Sequence, residues 1–321
     1  MKKIFNCLAF AFLLSGLYAQ PSFSQTGTDY QLKLGDFDPT TIQLASVSAA
    51  VVDVESGIPI YNKNSEIVMP IASITKLMTA MVVLDADLPL NEKLSFTRKD
   101  RQRMYNHYSR IRNGSRISRG DMLRLMLMSS ENLSAATLGG NYPGGYDKFI
   151  KAMNDKARSL GMKNTKFVDT SGLSPENVST AADLVKMVNA ASRYERIHEF
   201  STTPRFQATF QKPRYTLQFI NTNALVRAGK WEIELSKTGF LNKAGRCLVM
   251  MTEVADQQLI MVMLDSFGKR TPIGDANRIK KWIKTGKSGP VARAARHYEK
   301  KKLKKYSNQL IQRELTLSLI H

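Results

Sequence analysis

The sequence predicts a mixed α/β fold in which one sheet is assembled from both ends of the chain and a helical lobe is inserted between them. Three observations carry this reading. Strand-like apolar segments occur near residues 46–62 and again beyond residue 230, the stretch between them reads mostly as helix, and a further helix precedes a basic tail.

Taken in order, the opening "MKKIFNCLAFAFLLSGLYAQPSFS" has two lysines, an apolar run over residues 4–17, and Ser22 and Ser24 at cleavage spacing. This is the pattern of a secretory signal peptide over residues 1–24, and the run is short for a membrane anchor. Residues 25–44 form a polar leader. "SVSAAVVDVESGIPIYNKN" predicts strands at 46–54 and 58–62 around a turn with glycine and proline. "SITKLMTAMVVLDA" starts with a capping-type Ser73 and is apolar on nearly every side, which predicts a helix through the core. The lobe, residues 91–197, contains the helical patterns "RGDMLRLMLMS", "YDKFIKAMNDKARSLGM" and "STAADLVKMVNAASRY", broken at "YPGG" and "TSGLSPENV". Strands resume in "WEIELSKTGF", "GRCLVMMTEVA" and "QLIMVMLDSF", and "IGDANRIKKWIKTG" is the closing helix. The domain is thus expected over residues 45–289, followed by a basic, helical tail at 290–321.

The net charge is +20, and residues 276–321 hold 13 Lys and Arg against two Glu. For an exported chain no nucleic-acid partner is expected, and the tail points to anionic envelope surfaces, the alternative being a solvated extension. Signal removal leaves Cys247 as the one cysteine, so no intramolecular disulfide is available and an apolar core must stabilise the fold.

The tripeptide Lys-Thr-Gly occurs at residues 237–239 and again at 284–286. The second copy ends an amphipathic helix, where Gly286 is an ordinary C-cap and Lys284 faces the helix dipole. The first ends a strand. There Lys237 offers charge, Thr238 a hydroxyl and Gly239 room for a ligand to approach the backbone, which suits a carboxylate or peptide. Ser73 and Lys76 stand three residues apart on one predicted helical turn, and a serine needs such a neighbouring base to become a nucleophile. A second S-x-x-K, Ser266 to Lys269, sits at a strand end with no helical turn to bring its groups together. Ser130 and Asn132 flank Glu131 after an apolar helix, where they either cap the next helix or face a cleft.

The order S-x-x-K, S-x-N, K-T-G resembles the serine penicillin-recognising enzymes, which include penicillin-binding proteins and class A β-lactamases. "MSSENLSAATLGGNYPGGYDKFIKAMNDKARSLGMKNTKFVDTSGLS", "YTLQFINTNALV" and "KTGFLNKAGRCLVM" are most similar to the periplasmic D-alanyl-D-alanine endopeptidases among the low-molecular-mass D,D-peptidases. The resemblance implies an antiparallel sheet flanked by helices. It implies Ser73 as nucleophile, Lys76 as its base, Ser130 as proton relay, Asn132 as holder of the acyl-side amide, and Lys237 with Thr238 as carboxylate recognition. Gly239 and Phe240 border the substrate, and the backbone N–H groups of Ser73 and Phe240 form the oxyanion hole. The implied partners are peptidoglycan muropeptides and β-lactams, the implied location is the periplasm, and no cofactor or metal is implied. His107, His198, His297 and His321 are scattered and form no ligand pattern.

Phe240 is apolar at a position that borders the substrate, so leaving-group preference does not carry over from relatives with a polar group there, and the tail is too short and too helical for the further β-rich domain of many D,D-carboxypeptidases. Both points favour an endopeptidase over a carboxypeptidase. A β-lactamase would need a carboxylate for deacylating water, for which Glu176 is the candidate. An inactive peptidoglycan-binding module would not need the complete motif set.

Overall fold

The computed structural model describes residues 38–105 and 108–318. The signal peptide at residues 1–24, the first part of the leader, His107 and His321 lie outside these residues.

The described chain begins with β1 (Ser46–Asp53), β2 (Pro59–Lys63) and the short β3 (Met69–Pro70), then passes through a 3-10 turn, Ala72–Ile74, into α1 (Thr75–Asp85). The lobe follows with β4 (Lys93–Ser95), α2 (Arg98–Arg103), β5 (Arg116–Ser118), α3 (Arg119–Met128), α4 (Asn132–Gly140) and α5 (Gly145–Ser159). It continues through β6 (Val178–Ser179), α6 (Ala181–Ala191) and α7 (Glu195–Ser201). Thr97, Ser118 and Thr180 start α2, α3 and α6 by accepting the N–H of an aspartate three residues on, which satisfies donors that the helix itself leaves unpaired. The hairpin β7 (Arg205–Phe210) and β8 (Tyr215–Ile220) and the short α8 (Ala224–Ala228) lead to β9 (Ile233–Leu241), β10 (Gly245–Val254), β11 (Gln257–Ser266), α9 (Thr271–Thr285) and α10 (Arg293–Ser318).

The main sheet has the order β2-β1-β11-β10-β9, and every neighbouring pair is antiparallel. Successive side chains of β10 and β11 enter opposite cores. Val249, Met251, Ile260 and Val262 face the large core with α1 and the lobe helices, whereas Leu248, Met250, Met261 and Met263 face a second core with Trp282 and Ile279 of α9. Burial on both faces is why these two strands read as nearly unbroken apolar runs. Thr75 through Val83 of α1 are buried, which places this helix in the core as its all-round hydrophobicity predicts.

Antiparallel β9 is the sheet edge and carries the first Lys-Thr-Gly. The second ends α9: Gly286 takes the left-handed conformation, φ 67°, and its N–H reaches the Trp282 carbonyl at 2.7 Å. The hairpin β7–β8, the short α8 and the short strands β3 to β6 are additional to the elements that periodicity predicts. They are too short, or too mixed in polarity, to show a period of their own.

The tail helix α10 docks on the domain. The buried Asp265 carboxylate at the end of β11 accepts hydrogen bonds from Tyr298 Oη at 2.5 Å, Lys302 Nζ at 3.0 Å and Tyr306 Oη at 2.6 Å. Among the described residues no helix is long and apolar enough to cross a membrane.

Candidate active site

Ser73 does not cap α1 as its sequence position predicts. It lies inside the 3-10 turn, the N-cap is Ile74, and that cap position makes no side-chain hydrogen bond. The turn is held in an unusual shape, with Ala72 at φ 47°, a left-handed conformation that costs about 1 kcal/mol or more for a residue with a Cβ. The Ser73 hydroxyl is thereby left to Lys76.

Lys76 is fully buried, and its Nζ has three oxygen neighbours: Ser73 Oγ at 2.7 Å, Asn132 Oδ1 at 2.8 Å and the Ser171 carbonyl at 2.6 Å. Burial lowers its pKa to about 7, and the Asp169 and Glu131 carboxylates offset that shift only in part. A neutral amine has two N–H donors and one lone pair. The amide oxygen and the carbonyl can only accept, so they occupy the two donors and leave the lone pair on the Ser73 side. This arrangement can take the hydroxyl proton.

A second loop fixes both residues. Asp169 is buried, and its carboxylate accepts from the N–H groups of Ser171, Gly172 and Ser174 at 2.7, 2.6 and 2.6 Å. That holds the Ser171 carbonyl against Lys76. Asn177 Nδ2 donates to Thr75 Oγ1 at 3.1 Å, and Thr79 Oγ1 donates to the Thr170 carbonyl at 2.7 Å, which tie the loop to α1. Gly172 has φ +79° and lies so close to the turn that a Cβ would sit 1.9 Å from the Ala72 carbonyl oxygen.

On the other side stands β9. A Cβ on Gly239 would lie 3.1 Å from Ser73 N, from Ala72 Cβ and from the Ile71 carbonyl oxygen, so glycine lets the strand run directly beside the turn. Lys237 is buried, with Nζ donating to the Thr238 carbonyl at 2.8 Å. Burial and the neighbouring Lys76 charge hold it well below the usual lysine range. Thr238 Oγ1 donates to Thr222 Oγ1 at 2.6 Å, and Phe240 is exposed with the Arg246 guanidinium 4.3 Å above its ring.

Ser73, Ser130, Asn132, Thr238, Gly239 and Phe240 line one cavity of about 700 Å³. Ser130 takes the left-handed conformation at φ 61° between α3 and α4. Glu131, not Ser130 or Asn132, caps α4 through its bond from Leu133 N–H at 3.1 Å, and burial raises its carboxyl pKa. The capping alternative for the S-x-N motif therefore falls on the residue between the two.

This geometry meets a direct match. The family described as D-alanyl-D-alanine carboxypeptidase matches residues 36–268. The chain belongs to that family. It is 54% identical over 260 residues to the D-alanyl-D-alanine endopeptidase of Escherichia coli (strain K12), a match covering 81% of this chain and 84% of that one. It is 50% identical over 260 residues to the D-alanyl-D-alanine endopeptidase of Pseudomonas aeruginosa, with the same two coverages, 81% and 84%. Among solved structures, it resembles penicillin-binding protein D2 of Listeria monocytogenes in its ampicillin-bound form. The TM-score is 0.64 and the identity 31%, over 76% of this chain and 99% of that one.

Within this family member, the duplicate motifs separate cleanly. Ser266 Oγ is buried against Ser46 Oγ at 2.6 Å, so it is not paired with Lys269, which is exposed. Glu176 is exposed and does not line the cavity, so the carboxylate that a β-lactamase reading needs is not supplied there. Sequence reasoning missed Asp169, Asn177 and the Ser171 carbonyl. The available signal was "DTSG", an aspartate followed by small residues that can turn back onto its side chain.

Proposed function

We propose that this chain is a serine D,D-endopeptidase that hydrolyses D-alanyl cross-links between peptidoglycan stem peptides through an acyl-enzyme at Ser73. The observation that carries the reading is the buried Lys76 amine at hydrogen-bond distance from Ser73 Oγ, with Lys-Thr-Gly on the adjoining strand. Ser73 attacks the D-alanyl carbonyl while Lys76 accepts its proton, and the developing oxyanion is met by the Ser73 and Phe240 backbone N–H groups. Ser130 passes a proton to the departing amine, Asn132 holds the acyl-side amide, and Lys237 with Thr238 receives a carboxylate of the leaving strand. Water then releases the acyl group. β-Lactams acylate the same serine and block it, in keeping with the ampicillin-bound relative.

A carboxypeptidase acting on a terminal D-alanine is the second reading, favoured by the family's own description. One experiment separates them. A D-alanine-linked muropeptide dimer and a pentapeptide monomer are incubated with the chain from Gln25 and with its Ser73→Ala variant. Conversion of dimer to monomers that penicillin blocks and the variant lacks supports the endopeptidase. Loss of only terminal D-alanine replaces it by the carboxypeptidase.

The chain is further read as periplasmic, released by cleavage after Ser24, with the lysine-rich tail drawn to anionic envelope surfaces. Unchanged co-sedimentation with membranes and sacculi after truncation at Gly289 would dispose of the tail's part.

A further inference from the structure

The catalytic reading leaves most of the cavity's charge unused. Its lining includes Arg227, Arg246, Lys269 and Arg270 and no aspartate or glutamate. Among the described residues none of these four cations forms a salt bridge, although Lys63, Arg124, Arg278 and Lys302 each find a carboxylate elsewhere. Their positions share one side. Arg227 lies in the last turn of α8 with its Nη1 donating to the Asn221 carbonyl, Arg246 lies on β10 directly opposite Phe240 in register, and Lys269 with Arg270 forms the turn from β11 into α9. The lobe contributes Ser130, Asn132, Gly172 and Leu173 to the lining, all uncharged. The cavity is thus neutral towards the lobe and cationic along the sheet.

Like charges gathered without counter-ions repel one another, and a cleft lined by one sign concentrates field for the opposite one. Arginine also offers a planar fork that grips carboxylates through two parallel bonds. Phe240 adds order: its half-exposed ring lies 4.3 Å from the Arg246 guanidinium carbon, a cation–π contact that restrains the arginine side chain.

We propose that Arg227, Arg246, Lys269 and Arg270, with Phe240 as the platform for Arg246, form a subsite for several carboxylates on the departing peptide. This chain then selects a polyanionic peptide leaving group over a lone D-alanine, whose single carboxylate Lys237 and Thr238 already serve. The inference rests on the endopeptidase reading and specifies its substrate.

The test compares two D-alanine-linked dimers, one with free carboxylates on the leaving strand and one with them amidated, by kcat/KM at low and high ionic strength. Penicillin acylation of the wild-type chain is measured alongside, because it reports the Ser73 site whatever the leaving-strand preference. The free-carboxylate dimer should be preferred by about tenfold at low ionic strength, with the preference shrinking as salt screens the subsite. Arg246→Gln should remove most of that preference, and Arg246→Lys should restore part of it. A wild-type enzyme that acylates and cleaves both dimers equally well overturns the subsite alone, as does an Arg246→Gln variant that loses activity equally on both. A chain that acylates with no penicillin and cleaves neither dimer overturns the parent reading and this inference together.

Discussion

Gly239 lies beside Ser73 with no room for a side chain between them: a Cβ on the glycine would be 3.1 Å from the serine nitrogen. The neighbours that it would meet include backbone atoms of Ile71 and Ser73, which cannot swing aside as the end of a long side chain can. Gly239→Ala should therefore push β9 away from the turn by a few tenths of an ångström. Misplacement near reacting atoms has a disproportionate kinetic effect, so acylation of Ser73 by a labelled penicillin should slow by about tenfold. The melting temperature should move little. A variant that acylates at the wild-type rate would show that the strand and the turn do not act as one site.

Lys76 ties activity to pH. Its pKa is lowered to about 7 by burial, so the amine is charged below that pH and unable to accept the Ser73 proton. The acylation rate should rise through about pH 7, level off above it and fall about tenfold per unit below. Stability carries an imprint of the same shift at higher pH. Between about 7 and the ordinary value of 10.5, the unfolded chain holds a proton on Lys76 that the folded chain lacks, so stability rises with pH across that window. Below it, the cost of burying the charged form is present in full. Lys76→Met should abolish acylation and flatten this rise, as seen in chemical unfolding at a series of pH values.

Much of this was legible in the sequence, for physical reasons. β10 and β11 announced themselves because both faces are buried, and α1 because it is apolar all round. Ser73, Lys76, Ser130, Asn132 and the first Lys-Thr-Gly stood out as short motifs in suitable order. The Ser73 turn was misread as a helix cap because its shape depends on Ala72 at positive φ, wedged between Gly172 and Gly239, and nothing local to "PIASITK" encodes that contact. The partners of Lys76 come from two lobe segments, and the cationic wall combines three sheet-side segments. Such sets exist only once the chain is folded.

Asp169 tests how far the loop supports the site. Its carboxylate accepts three backbone N–H groups and the Ser171 hydroxyl, all within the loop that carries the carbonyl bound to Lys76. Asp169→Asn replaces one acceptor oxygen by an NH2 group that opposes those donors. The buried mismatch should cost about 2–4 kcal/mol, or about 4–16 °C in melting temperature for a chain of this size. Releasing the Ser171 carbonyl should also slow acylation in the fraction that remains folded. Wild-type stability together with wild-type acylation would mean that the loop is not a support.

Asp265 decides whether the tail is an appendage or part of the domain. Its buried carboxylate joins Tyr298, Lys302 and Tyr306 of α10 to the end of β11, and Gly245 leaves space for it, since a Cβ there would lie 2.0 Å from Asp265 Oδ1. Lys63 adds a salt bridge to Glu299 at 2.9 Å from the other edge of the sheet. Removing the carboxylate strands an ammonium and two phenols at a buried contact, a loss of about 3–5 kcal/mol for a broken buried pair. Asp265→Ala should lower the melting temperature and speed tryptic cleavage in the lysine-rich stretch from Lys300 to Lys305, while truncation after Gly289 should lower stability as well. A solvated extension predicts no change in either melting temperature. Equal stability of all three proteins would therefore detach α10 from the fold and leave only its lysine-rich charge to account for it.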